Sequence, residues 1–507
     1  MKVLGILCGV FVLVSGACGF SLLGPHQTWM TETLSYRLPG DIGGPMSPLA
    51  QYRWNLPMVT YGFDQSFLDY FGEDGVRAVE EAFAILNQLP PMSQIDLDDY
   101  PTDTRMVNFE AQSLGYLDLK SHTLSLLLHQ MGLAEPSRYT YALISRRAQA
   151  TVTNHTIIRL NYDPATFAPA TNVNDARYAY QILETANPLR ADALEYLVDP
   201  LARGWTAVAD GKLSAGEFYT GLTRDDVGGL RFLLRTNTIT VEKLAVPVSF
   251  APVPTNPGPT ASSWMPQPPK PATNVIDTAP RSGVDKLTFV RMAWDSNHNQ
   301  FPALTNVFVD AYYTNGQRRQ QTLQRVVTRP DILFRARDLG VEIYNVPFPP
   351  GGSAYSFFPR FTAVSDTSRW NNHDDINGFT IRGGPGVIPP GATIDFGTVG
   401  RYLELARALG GSMYQWATFD GSTNPPVAFT NSNPAATVTI SAQMRREAST
   451  ASFEWTVLGI PDAVYRIEST TDFITWSTVT NVTNVVGHFV FTDPVATPQR
   501  FYRAVRQ

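Results

Sequence analysis

The stretch Ser125-Leu126-Leu127-Leu128-His129-Gln130-Met131-Gly132-Leu133-Ala134-Glu135 spells an apolar helix and its end. Leu124, Leu127, Leu128 and Met131 recur at helical spacing, with Ser121 placed to cap the start. Gly132 predicts the stop, because glycine takes the left-handed conformation at a helix end without steric cost. Glu135-Pro136 forbids continuation. Ser125 and His129 are four apart and share a helix face, and Glu135 follows the reversal at Gly132. A helix, a reversal and a returning carboxylate can bring three side chains to one point.

Outward from this stretch, the run Leu56 to Phe63 predicts a strand, and Val76, Val79, Phe83 and Leu86 predict a helix over Gly75 to Leu89, ended by Pro90-Pro91. A third helix is expected from Thr223-Arg224-Asp225-Asp226 through Val227, Leu230 and Leu234, with Thr223 as cap and Asp226 in the electropositive first turn. The interval Arg138 to Leu222 is long and includes strand-like pieces such as Thr156 to Leu160. It reads as an insertion.

These three pieces, in this order, resemble the matrixin-like metzincins. The stretch 125–135 has the frame H-E-x-x-H-x-x-G-x-x-H of that family's active-site helix, with His129 and Gly132 matching, and Leu222-Thr223-Arg224-Asp225-Asp226-Val227-Gly228-Gly229-Leu230 looks like its closing helix L-T-x-D-D-x-x-G-I. The resemblance covers Met58 to Leu234 and implies an α+β domain. It places Ser125, His129 and Glu135 at the three metal-ligand positions and Leu126 at the general-base position. A zinc hydrolase needs three ligands, an open position for water and a base. Leu126 takes no proton and Ser125 is a poor zinc ligand, so no catalytic residue is assigned and the metal candidates are His129 and Glu135. His122 lies seven residues from His129, about 10 Å along a helix axis, too far to share one ion without a break. His155 could fold back from the next segment.

Length and composition set the class. The 507 residues, 43% apolar, suffice for several domains with ordinary cores. A net charge of -6 without a long basic run excludes nucleic acid as the expected partner. Lys2, the apolar run Val3 to Val14 and Ser15-Gly16-Ala17 form an export signal, too short to span a bilayer. Two readings of its end stay open: an ordinary cut near Ala17, or a bacterial lipobox in which Cys18 is lipidated and anchors the chain to a membrane. The two cysteines, Cys8 and Cys18, both lie in this segment, so no intramolecular disulfide is expected in the mature chain.

The expected organisation is multidomain. Residues 1–18 form the export signal, 19–240 a metzincin-like α+β domain with an insertion, 241–275 a proline-rich linker, 276–430 a β-rich domain and 431–507 a small C-terminal β-sandwich. The linker expectation rests on nine prolines from Pro247 to Pro271, a segment that would span about 75 Å in polyproline II form. Lys286 to Trp294, Asn306 to Tyr313 and Gln321 to Val327 carry the β-rich pattern beyond it. Short alternating runs from Thr437-Val438-Thr439-Ile440 to Phe501-Tyr502-Arg503-Ala504-Val505 have sandwich spacing, and this end resembles the C-terminal modules of large exported bacterial proteins.

Two further segments imitate calcium loops. Asp210-Gly211-Lys212-Leu213-Ser214-Ala215-Gly216-Glu217 has the second half of an EF-hand loop, but Thr206 and Val208 stand where its first carboxylates belong, so a turn before Phe218 is expected. Asp295-Ser296-Asn297-His298-Asn299-Gln300 alternates oxygen side chains but lacks the glycine and the closing glutamate, and His373-Asp374-Asp375-Ile376-Asn377-Gly378 is weaker.

The expected function is that of an exported bacterial protein with an inactive metzincin-like domain, acting in binding or as a surface scaffold toward an extracellular or cell-surface ligand. No cofactor is expected; zinc at His129 and Glu135, or calcium, is the alternative. The competing readings are an active zinc metalloendopeptidase with a site rearranged around His129, and a carbohydrate- or surface-binding protein unrelated to proteases. The second draws on the chain's aromatic residues, most of which belong in cores while an exposed few could stack on sugars.

Overall fold

A computed structural model describes residues 18–25, 42–48, 52–149, 152–186, 189–244, 275–295, 300–337, 341–348, 352–359, 364–365, 392–398, 415–429, 439–447, 450–458, 463–471, 475–484, 488–494 and 501–506. Strand far outweighs helix, and the chain divides into two compact units, residues 1–64 with 75–428 and residues 65–74 with 429–507. The architecture is β-rich. Residues 1–17 of the expected export signal, the proline-rich segment 247–271, residues 296–299 and residues 373–378 lie outside the described residues.

In the first unit, Met58–Phe63 is the second strand of a five-stranded sheet. It pairs in parallel with Thr288–Arg291 on one side and Ile332–Arg337 on the other. Ala392–Gly397 follows in parallel, and the short Val364–Ser365 closes the edge antiparallel. Parallel strands covered by a helix must be apolar on that face. Val59, Phe334, Ile394 and Phe396 are accordingly almost fully buried. The helix over them is the 75–88 part of α1, Gln65–Gln88, a helix longer at its start than the apolar spacing predicts and broken at Gly72. Phe83 of α1 stacks on Tyr61 with centroids 3.7 Å apart and also meets Phe289 and Phe334. At the head of the sheet Asp331 accepts from the Thr60 amide and hydroxyl and from Arg325, so the buried charge is fully paired.

The residues expected as two domains, 19–240 and 276–430, thus share strands rather than standing apart. The physical reason is that Met58–Phe63 is buried on both faces, and the parallel neighbours that flank it come more than 200 residues later in the sequence. The second sheet repeats this. Ile239–Lys243 pairs with Thr278–Ser282, and the long hairpin Leu304–Thr314/Gln317–Val327 extends it. Arg53, wholly buried, ties this sheet to the rest: it donates to Glu242 Oε1 at 2.7 Å and to the carbonyl of Leu233 at 2.7 Å.

A small antiparallel sheet of Ile42–Pro45, Phe20–Pro25, Leu133–Ala134 and Asn161–Tyr162 carries the closing helix. Short helix α2 spans Phe109–Ser113, α3 spans Leu119–Met131 and α4 spans Arg224–Leu234. On α4, Phe232 packs on Phe20 at 5.8 Å, and a side chain at Gly229 would come 2.7 Å from Leu133 Cδ2, so the absent Cβ sets the close approach. Thr223 and Asp226 form the expected capping box. The insertion is built of two hairpins, Ala142–Ala148/Thr153–Ile158 and Ala176–Ala186/Leu189–Leu197, the second extended by Asn172–Val173.

In the second unit two three-stranded antiparallel sheets form, Thr439–Glu447/Thr450–Leu458/His488–Pro494 and Ser477–Asn484/Ala463–Thr470/Phe501–Arg506. Phe491 and Tyr502, one from each, approach to 5.8 Å. Tyr465 and Ile467 are buried at alternate positions, the period of a strand with one covered face.

Candidate functional site

The site expected from the sequence sits where α3 ends. The cap of α3 is Asp118 rather than Ser121: its carboxylate accepts from the Ser121 amide at 2.9 Å and from the Ser121 hydroxyl, so the serine serves as the first-turn donor. Burial pushes the Asp118 carboxyl up to about 6, against the opposing pull of Lys120 and of these hydrogen bonds. The helix is enclosed on nearly every side, with Leu124, Leu127, Leu128, Thr123 and Gln130 at 0% exposure. Gly132 adopts φ 108°, the left-handed stop, and its amide donates to the His129 carbonyl at 3.0 Å.

The frame positions are then occupied one by one. Ser125 is buried against the turn Val208–Gly211, so closely that a Cβ on Gly211 would lie 2.7 Å from its Oγ. His129 Nε2 lies 2.6 Å from the Ala209 carbonyl oxygen, and since a carbonyl only accepts, that nitrogen carries the proton and donates. Leu126 is half-buried and offers no proton acceptor. Glu135 reaches Lys212 Nζ at 3.6 Å, both side chains 38% exposed. The helix and its reversal are those expected, while the three side chains point to three separate partners.

His122 and His155 lie apart from this site. His122 meets the edge of Trp416 with centroids 5.1 Å apart, because Tyr116–Asp118 pairs in parallel with Gln415–Thr418, and burial pushes its imidazole down to about 4. His155 pairs with Glu184 at 2.7 Å across the two hairpins. Among the described residues no group of three or more His, Cys, Asp or Glu is disposed to hold a metal ion. Asp210 to Glu217 forms a turn and then the strand Glu217–Tyr219, with the Ser214 amide on Glu217 Oε2 at 2.8 Å. Asp295 and Gln300 form an isolated bridge.

Cys18, the lipid carrier in one of the two open readings, is 2% exposed and lies beside Asp225, and burial pushes its thiol up. An acyl chain on Cys18 would require the thiol to leave this place. Next to it, the Gly19 amide donates to Asp225 Oδ2 at 2.7 Å and the Asn174 amide donates to the same oxygen.

Three groups escaped the reading of the sequence. Asp210 accepts from the Ser137 amide at 2.9 Å and hydroxyl at 2.6 Å, and burial pushes its carboxyl up to about 7. Glu195, pushed up to about 8 by burial against the pull of Arg138, holds the Arg138 guanidinium at 3.3 Å. Asp225 and Asp226 were legible as first-turn acids, but their complete burial was not. Nothing in local sequence marks the burial of Asp210 or Glu195, since the partners Ser137 and Arg138 come from the turn after α3.

Trp205 is the other unforeseen feature. Its φ is 56°, a left-handed conformation that bulky side chains avoid, and the residue is 49% exposed. Comparisons of the chain with protein-family models, with curated proteins and with solved structures gave no match. The chemistry of the site is therefore argued from its own residues.

Proposed function

We propose that this chain is an exported, non-proteolytic binding protein, whose first half is a metzincin-like domain without the reactive set and whose remaining elements serve as binding or spacer surfaces. The observation that carries the reading is the commitment of His129, whose Nε2 proton is given to the Ala209 carbonyl at 2.6 Å. A nitrogen bearing that proton cannot ligate a metal through the same lone pair, and Leu126 beside it supplies no base. α1 and α4 face different sheets, through Phe83 and Phe232, and this counts toward the second reading, a binding protein unrelated to proteases.

The binding half of the proposal draws on the outward face of the hairpin Ala176–Ala186/Leu189–Leu197. Leu183, Leu194 and Tyr196, 52%, 43% and 51% exposed, lie on one face by the register that opposes Ala179 to Tyr196 and Gln181 to Leu194. Export is supported by Lys2, Val3 to Val14 and Ser15-Gly16-Ala17. The test is metal analysis of the purified protein together with casein digestion. The expected result is substoichiometric zinc and no cleavage, and chelator-sensitive proteolysis with one zinc per chain would overturn the reading.

A further inference from the structure

We propose that Trp205, Lys212 and Glu135 form a stacking site for an uncharged, equatorially substituted pyranose, a sugar of the glucose type. The inference deepens the binding reading and names its ligand class. It starts from the backbone. Trp205 holds φ 56° although it is neither glycine nor asparagine, and such strain persists only where the surroundings impose it. Here they do. The Trp205 amide donates to the Tyr178 hydroxyl at 3.1 Å, and a Cβ on Gly204 would come 3.0 Å from Leu197 Cδ1, so the segment is pressed onto the hairpin strand. On the other side Thr206 is buried and accepts from Asn174 Nδ2 at 2.9 Å, and the Ala207 carbonyl accepts from the Tyr219 hydroxyl at 3.3 Å.

Pinning both flanks would ordinarily serve to bury a large side chain. In this case Trp205 as a residue stays 49% exposed. The strain is spent on presenting an indole to solvent in one orientation, which lowers the ordering cost of a ligand that stacks on it. Lys212 Nζ stands over the Trp205 ring, 5.7 Å from its centroid, and the same ammonium lies 3.6 Å from Glu135 Oε2 and 3.4 Å from Ser137 Oγ. An aromatic ring, an ammonium over it and a carboxylate paired to that ammonium therefore lie within a short span.

That sequence of groups matches one chemistry. A pyranose with equatorial hydroxyls turns axial C–H bonds toward an aromatic plate, while hydroxyls at its rim donate to a carboxylate and accept from an ammonium. The Lys212 and Glu135 charges offset each other, which favours a neutral sugar over an acidic one.

The experiment is isothermal titration of the full chain with cellohexaose and with laminarihexaose, repeated on Trp205→Gly and Lys212→Met. Glycine at 205 removes the plate and also relieves the backbone, so the fold is retained or gains stability while binding is lost. The expected result is binding of at least one hexasaccharide by the wild type and at least a ten-fold loss in Trp205→Gly, with a urea midpoint no lower than that of the wild type. No heat with either sugar, or a Trp205→Gly variant that binds as the wild type does, overturns the assignment. So does concentration-dependent self-association that vanishes in Trp205→Gly, which would give the ring to a protein contact. These outcomes leave the non-proteolytic reading standing, since that falls only to chelator-sensitive cleavage.

Discussion

Ser125 and Gly211 show at the scale of single residues why the stretch 125–135 does not form a ligand set. Gly211 has φ 63°, and a Cβ there would sit 2.7 Å from Ser125 Oγ. Gly211→Ala should therefore cost about 1–3 kcal/mol, from the left-handed backbone and the forced contact together. Urea unfolding read as a midpoint shift checks it; an unchanged midpoint would mean that the turn yields freely. The same crowding bears on Ser125→His, the change that restores the first ligand of the frame. An imidazole has no room against this turn, so the variant should lose stability of similar size, and Ser125→His/Leu126→Glu/Glu135→His should gain no zinc affinity in a competition titration. Tight zinc binding by that triple variant would show that the turn moves aside.

Among elements, the turn Val208–Asp210 is the junction between α3 and α4. Asp226 in the first turn of α4 accepts from the Thr223, Val208 and Ala209 amides, each at 3.0 Å, while the Ala209 carbonyl takes the His129 proton. One buried carboxylate thus caps a helix and shapes the turn that holds another helix. Asp226→Ala should strand these amides and cost about 2–4 kcal/mol, more than loss of a surface cap. Hydrogen exchange should locate the damage: amides of residues 206–211 and of the first turn of α4 should exchange faster, while those of Thr288–Arg291 keep their protection. Uniform acceleration over the first unit would place the role of Asp226 elsewhere.

For the whole molecule, two predictions follow from burial and from pairing. Asp118, Asp210 and Glu195 are raised to about 6, about 7 and about 8 by burial, from ordinary values near 4. Between these limits the folded chain holds protons that the unfolded chain has released, so stability falls as pH rises from about 4 to about 8. His122, depressed to about 4, opposes this only below its ordinary value of about 6.5. The urea midpoint should therefore be higher at pH 5 than at pH 8, and the reverse order would mean that these carboxyls are solvated. The second prediction concerns the prolines 247–271. A single protease cut there should leave two pieces that elute together, because Met58–Phe63 lies between Thr288–Arg291 and Ile332–Arg337. Fragments that separate without denaturant would count against that sheet.

The sequence by itself determined the local elements: the strand at Met58–Phe63, the left-handed stop at Gly132, the capping box of Thr223 and Asp226, and the alternating strands of the last 70 or so residues. Each depends on side chains within a few positions of one another, where helical and strand periods and capping chemistry act. Tertiary structure decided what the periods cannot carry. It decided that strands more than 200 residues apart share a sheet, that Asp118 rather than Ser121 caps α3, and that Ser125, His129 and Glu135 face three different partners. The reason is that pairing partners, and the burial that shifts a carboxyl such as Asp210, are set by distant segments, while the pattern of apolar residues records only that a face is covered.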